Sequence, residues 1–273
     1  MRPSVFAISV GLLTAVLAPP SFAGDDDSSS YALCARVRWW TASVTGAFQV
    51  NQKDYRGSFE DYRDDLDLEA YDPRNNPGVP DLSLEGRLGN SSLILGWLES
   101  SLSGDSWVDR MDFHGKTYVA EHIRTDLDLR YYHATYCKFL LDGGMLTAGL
   151  LVGIGYLDYR IDVAPDPSSP SEPTHTGGNT PFPYFGGRAV VRPVKWFEIF
   201  AEFVFSRGDW GDARLLFLDG NLSLHLRPVK FVSLGLGVHV LHLYADAINV
   251  WSDSPDTLLL TLAGPYLELE GRF

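Results

Sequence analysis

From Tyr266 the chain alternates without a fault: Leu267, Leu269, Gly271 and Phe273 lie on one face, Tyr266, Glu268, Glu270 and Arg272 on the other. A period of two with one apolar and one charged face is a half-buried strand. The pattern recurs upstream. Ile123, Thr125, Leu127, Leu129 and Tyr131 interleave with His122, Arg124, Asp126, Asp128 and Arg130. Leu146, Ala148, Leu150, Val152, Ile154 and Tyr156 interleave with Thr147, Gly149, Gly153 and Gly155. Phe197, Ile199, Ala201, Phe203 and Phe205 form another such face. A chain built from these segments has to close a sheet.

The connections sort the strands into pairs. Gly89-Asn90, Asp142-Gly143-Gly144, Arg192-Pro193-Val194-Lys195 and Arg227-Pro228-Val229-Lys230 are short turns. Between them lie the long connections 51–80, 103–116, 164–183, 207–213 and 244–255. Tight turns on one side and long loops on the other are the asymmetry of a membrane barrel. The expected fold is therefore all-β, a single antiparallel up-and-down transmembrane β-barrel of about ten strands. An even strand number requires that Thr117 to Leu141 be read as one long strand. Aromatic residues group in the same sense: Trp39, Trp40, Trp196, Phe231 and Phe273 toward the turns, Trp107, Trp210, Tyr244 and Trp251 toward the loops. Two such girdles mark the two faces of a bilayer, whereas a soluble sandwich would scatter them.

Ahead of the barrel, Arg2 precedes an apolar run from Val5 to Leu17, then Pro19, Pro20 and Ser21-Phe22-Ala23. This is the pattern of a secretory signal cut after Ala23, and the run is too short to span a bilayer as a helix. The chain divides into a signal peptide (1–23), a short polar lead-in (24–35) and the barrel (36–273). With 35 acidic against 22 basic residues the formal net charge is −13, which does not point to a nucleic-acid partner, and none is expected. Cys34 and Cys137 would meet an oxidising compartment after export. The alternation points Cys137 outward near the turn-side rim, so they read as two unpaired, small apolar residues.

Four marks occur in order: Asp65 to Leu68 (Asp-Leu-Asp-Leu), Phe113-His114-Gly115, Pro181-Phe182-Pro183, and Gly264 to Leu267 leading to Phe273. In this the chain resembles a group of small Gram-negative outer-membrane barrels that are named for their fold. The resemblance implies location in the outer membrane, with its lipids and lipopolysaccharide as surroundings. It also implies delivery to the barrel-assembly machinery, with Phe273 as the assembly signal. It carries no catalytic residues. Pro265 lacks an N–H for the ladder, so a bulge is expected there.

Candidate chemistry lies on the inward faces. Arg124, Asp126, Asp128, Arg130, Arg188, Glu198, Glu202, Glu268, Glu270 and Arg272 are expected to pair across the lumen, because unpaired charge away from water is costly. Gly149, Gly153, Gly155, Gly235 and Gly237 are read as leaving space there. Centring a hairpin on Val229 sets Asp219 opposite His239 and His225 opposite Ser233, all facing inward; an Asp–His pair of this kind can orient a general base. No Gly-x-Ser-x-Gly and no metal-spaced His/Cys cluster is present, and no metal or cofactor is expected. The acidic loop 51–80 offers oxygen ligands to divalent cations but lacks the glycine-centred calcium loop. Three functions stay open: a structural or surface-interaction barrel with a charge-filled lumen, a narrow diffusion channel, and a rim enzyme acting on lipid A or peptides.

Overall fold

The computed structural model describes residues 32–50, 78–113, 116–165, 172–210, 213–248 and 255–273. The strands are β1 (Leu33–Trp40), β2 (Ser43–Val50), β3 (Val79–Leu88), β4 (Ser91–Phe113), β5 (Lys116–Asp142) and β6 (Leu146–Pro165). They continue with β7 (Thr174–Val194), β8 (Phe197–Trp210), β9 (Ala213–Val229), β10 (Val232–Ile248) and β11 (Pro255–Arg272). Each pairs antiparallel with its sequence neighbour from β3 through β11, and β11 pairs back onto β1 and β2, closing the sheet. Because β1 and β2 are the two halves of one stave, the barrel has ten.

That division has a local cause. Trp40 pairs with Tyr266 and Ser43 with Ala263, the same frame on either side of the break. Between them Thr41 N donates to Pro265 O at 3.0 Å, but Pro265 has no N–H to return. On the other side Gly237, Val238 and His239 pair in step with Tyr266, Pro265 and Gly264. The bulge expected at Pro265 does not form: one lost donor interrupts the ladder without inserting a residue. Register shifts instead sit near the short turns, at Phe139/Leu141, Val191/Val194 and Val232/Leu234.

Side-chain polarity divides the barrel into two levels. Toward the turns the outward face is apolar and exposed, as in Leu146, Leu150, Val152, Ile154 and Tyr156 of β6, Leu222, Leu224 and Leu226 of β9, and Leu234, Leu236, Val238 and Val240 of β10. One rung above Tyr156 that face turns polar, with Asp158, Arg160 and Asp162. Neighbouring strands change at the same height: Tyr132 pairs with Tyr156 and Trp97 with Tyr132, and above them come Arg130 and Glu99. The step from Leu146 to Tyr156 covers ~33 Å at about 3.3 Å per residue. A tilt of roughly 40° leaves about 25 Å, the height of a barrel's lipid-facing band.

Candidate functional site: the lumen

Inside, the order of polarity is reversed. Above the Tyr132–Tyr156 level the inward positions include Leu102, Ile123, Leu127, Leu129, Leu157, Ile161, Val163, Leu215, Phe217, Leu241, Leu243, Leu260 and Leu262, none of these more than 3% exposed. Its floor is a layer of rings, with Tyr131 and Phe182 at 5.0 and 4.8 Å from Phe217. Below it the lumen is ionic.

The strand alternation sends Arg36 and Arg38 of β1, Asp81 and Glu85 of β3, and Glu268 and Glu270 of β11 inward together, and all six are buried. Arg36 bonds Glu85 at 2.8 Å and Glu270 at 2.7 Å, and Arg38 bonds Glu268 at 2.5 Å and Asp81 at 3.1 Å. Arg188 of β7 reaches across the lumen to Glu85 at 2.9 Å and also holds Glu202 at 2.6 Å. Nearest the turns, Arg192, Arg227 and Arg272 converge on Glu198, with Arg272 at 2.7 Å and also bonded to Glu270. These residues, from six strands, form one connected set of six arginines and six carboxylates among the described residues. Each buried charge has a partner of opposite sign, the condition under which such burial is tolerated.

Six of the ten predicted network residues lie in this set: Arg188, Glu198, Glu202, Glu268, Glu270 and Arg272. The other four do not. Arg124, Asp126, Asp128 and Arg130 occupy the outward face of β5 above the apolar band; the side chains of Arg124 and Arg130 are 60% and 44% exposed. They pair locally, Arg124 with Asp126 at 3.1 Å and Arg130 with Glu99 at 3.3 Å. The reason is that their level stands in water, so charge belongs outside and Ile123, Leu127 and Leu129 belong inside. Hydrogen bonds that Arg130 and Arg160 donate to the carboxylates of Glu99 and Asp162 hold their guanidinium pKa values above the ordinary value. Arg36, Arg38, Asp81, Glu85, Arg192 and Arg227 are the missed half of the network. The alternation Arg36-x-Arg38 on the face shared with Glu268 and Glu270 was the available signal.

Asp219 and His239 do meet: His239 Nε2 and Asp219 Oδ1 are 2.6 Å apart. They meet as diagonal neighbours, because the hairpin frame is shifted two residues from the expected one. His239 lies opposite Asn221, and Asp219 opposite Leu241. His225 likewise pairs with Gly235 yet reaches Ser233 Oγ at 3.3 Å. Trp40 stacks on His239 at 4.2 Å between centroids. It lies in the lumen, fully buried, and is not part of a turn-side girdle. The upper girdle among the described side chains is Trp97, Tyr132 and Tyr156; Trp196 and Phe231 stand exposed at the turns. Side chains of Trp107, Trp210 and Trp251, and the loop 51–77, lie outside the described residues.

The inward glycines do not leave space. A Cβ on Gly155 would lie 2.6 Å from the Phe182 ring, and one on Gly237 would lie 2.7 Å from that of Tyr266. These are seats for rings. Among the described residues, two cavities at the ionic level are small, about 30 Å³ beside His133, Tyr184 and His239 and about 20 Å³ beside Arg192 and Phe200. That is space for a few waters at most. Cys137 faces inward and is buried, not outward as the alternation was read, because the inward positions of β5 are the odd-numbered ones. Cys34 is level with Glu85 on β3, and Cys137 is opposite Ser92 on β4, so three strand spacings, about 14 Å of sheet, separate the thiols. A disulfide needs Cα atoms within about 7 Å. Both cysteines are free. His225, Glu268 and Glu270 come close enough to suggest a metal site, but Arg36 and Arg38 already hold both carboxylates.

No protein-family profile and no curated protein matches the sequence. Solved structures do. The outer-membrane protease OmpT of Escherichia coli aligns over 89% of this chain and 98% of its own, with a TM-score of 0.59 and 11% identity. The attachment invasion locus protein Ail of Yersinia pestis covers 87% and 99% at 10% identity, with a TM-score of 0.32. The toluene transporter TodX of P. putida covers 95% and 94% at 9% identity, with a TM-score of 0.35. At these identities the likeness is one of fold, and the fold is that of Gram-negative outer-membrane β-barrels.

Proposed function

We propose that this protein is an integral outer-membrane barrel with a permanently closed lumen, serving as a structural or surface-interaction element. The carrying observation is the double closure: a connected ion-pair network from six strands below, and a packed apolar layer above. The outward apolar band supports residence in a bilayer, with the polar upper wall on the lipopolysaccharide side. In this reading Phe273, whose backbone N donates to Leu33 O at 2.8 Å, completes the seam presented to the assembly machinery. The acidic loop 51–80 is the candidate contact for divalent cations bridging lipid phosphates.

A diffusion channel is disfavoured because the inward glycines are covered by rings. A rim protease, the reading that the OmpT fold invites, needs its acid and base at the outer mouth. The Asp219–His239 pair instead lies beneath the Phe217–Leu241 layer, where a peptide cannot reach it. The test is conductance of the refolded protein in a planar lipid bilayer, with folding checked by heat-modifiable migration in SDS. The expected result is silence from folded protein. Discrete, reproducible openings would overturn the proposal.

A further inference from the structure

The two Arg-Pro-Val-Lys turns repeat a motif whose basic residues part company in space. Arg192 and Arg227 turn into the lumen, and each bonds Glu198 at 2.5 Å. Lys195 and Lys230 stay outside. The connections from β7 to β8 and from β9 to β10 are the two-residue turns Lys195-Trp196 and Lys230-Phe231, with all four side chains exposed. Arg227 N donates to Trp196 O at 2.8 Å, so the two hairpins sit side by side, two strand spacings or about 10 Å apart around the rim. Lys138 stands further round on the outward face of β5 and bonds Asn90 Oδ1 at 2.6 Å. Among the described residues the exposed charges at this end are these three lysines and Asp142, which Arg87 holds at 2.5 Å. The upper wall carries both signs, paired locally, as in Arg124 with Asp126 and Arg160 with Asp162. On a chain of net charge −13, the turn-side rim is basic.

We propose that the Lys195–Lys230 edge of this rim binds the headgroup phosphate of an anionic phospholipid in the leaflet that faces the turns. The site rests on residence in a bilayer, as inferred above. The outward apolar band starts at Leu226 and Leu234, within a few residues of Lys230 and Phe231, which sets the turns at headgroup height. Trp196 and Phe231 are of the residue type favoured in that zone. A lysine lays its stem along apolar surface while its ammonium reaches polar surroundings. Val194 and Val229, both exposed, supply that surface beside each lysine. Charge selects the headgroup. A zwitterionic lipid carries an ammonium of its own that offsets the attraction, whereas each basic residue at an anionic surface gains about fivefold in association.

Quenching of tryptophan fluorescence by brominated lipids, in vesicles holding the refolded protein, tests the site. The Trp196 signal is isolated by difference from Trp196→Phe. Brominated phosphatidylglycerol should quench it at a mole fraction about fivefold lower than brominated phosphatidylcholine, and high salt should narrow that gap. Lys195→Gln combined with Lys230→Gln should bring the two lipids to parity while heat-modifiable migration in SDS is kept. Lys195→Arg combined with Lys230→Arg should retain the preference, and Arg124→Gln with Arg160→Gln on the upper wall should leave it unchanged. Equal quenching by the two lipids in the unsubstituted protein, or a preference that survives the double glutamine change, would overturn the site. Folded protein whose Trp196 neither lipid quenches would overturn bilayer residence itself, and the site with it.

Discussion

The two levels of the barrel run the same alternation in opposite senses. On β5, Tyr132, Ala134 and Tyr136 face out and His133, Thr135 and Cys137 face in; a few residues earlier, Asp126, Asp128 and Arg130 face out and Leu127, Leu129 and Tyr131 face in. The strand does not change register between them. What changes is the medium outside, from lipid to water, and the interior changes to match. Below, the wall must be apolar and the lumen takes the polar residues, paired with one another. Above, the wall is polar and the lumen becomes an ordinary hydrophobic core. The comparison teaches that an inward charge here is a structural partner, and that an outward charge is a solvated surface residue.

Substitutions can break or sharpen that contrast, and equilibrium urea unfolding of the refolded protein measures each. The largest effect is expected from Glu85→Ala. It leaves Arg36 and Arg188 without the fully buried carboxylate they share, a loss of ~3–5 kcal/mol. A loss near zero would mean that the lumen is hydrated and not closed. Next is a charge placed on the wall. Leu224→Arg in the apolar band should cost about 2–4 kcal/mol, whereas Asp128→Leu on the upper wall should change stability little. Equal costs would remove the distinction between the levels. Gly237→Ala puts a methyl against the Tyr266 ring and should cost about 1–3 kcal/mol by overpacking. If it is neutral, the ring has room and the lumen is looser than described. The smallest effect belongs to the double change Asp126→Asn and Asp128→Asn. As exposed groups they should contribute less than about 0.5 kcal/mol together, and a large loss would return them to the interior.

The legible part of the site followed from the solvent assumed outside. In the stretch from Tyr266 to Arg272, and at Glu198 and Glu202, the apolar face is the lipid face, and charges placed in the lumen are found there. The same assumption misplaces Arg124 to Arg130, because alternation is symmetric: it says that two faces differ, not which faces the axis. Cys137 was misassigned for a related reason, since its parity follows from Tyr131 only once the long strand is known to be inverted in its upper half. Asp219 and His239 were brought together despite a frame two residues off, because inward neighbours on adjacent strands lie within reach diagonally as well as directly.

The sequence by itself determined the closed sheet, its ten staves and the positions of its tight turns, since period-two alternation and turn chemistry are local properties. Tertiary structure alone decided which arginine meets which carboxylate, that ring-covered glycines close the lumen, and at what height the inside and outside exchange polarity. Those depend on strands far apart in the chain coming to the same level, and on the medium each level stands in. Neither is encoded in any single stretch of residues.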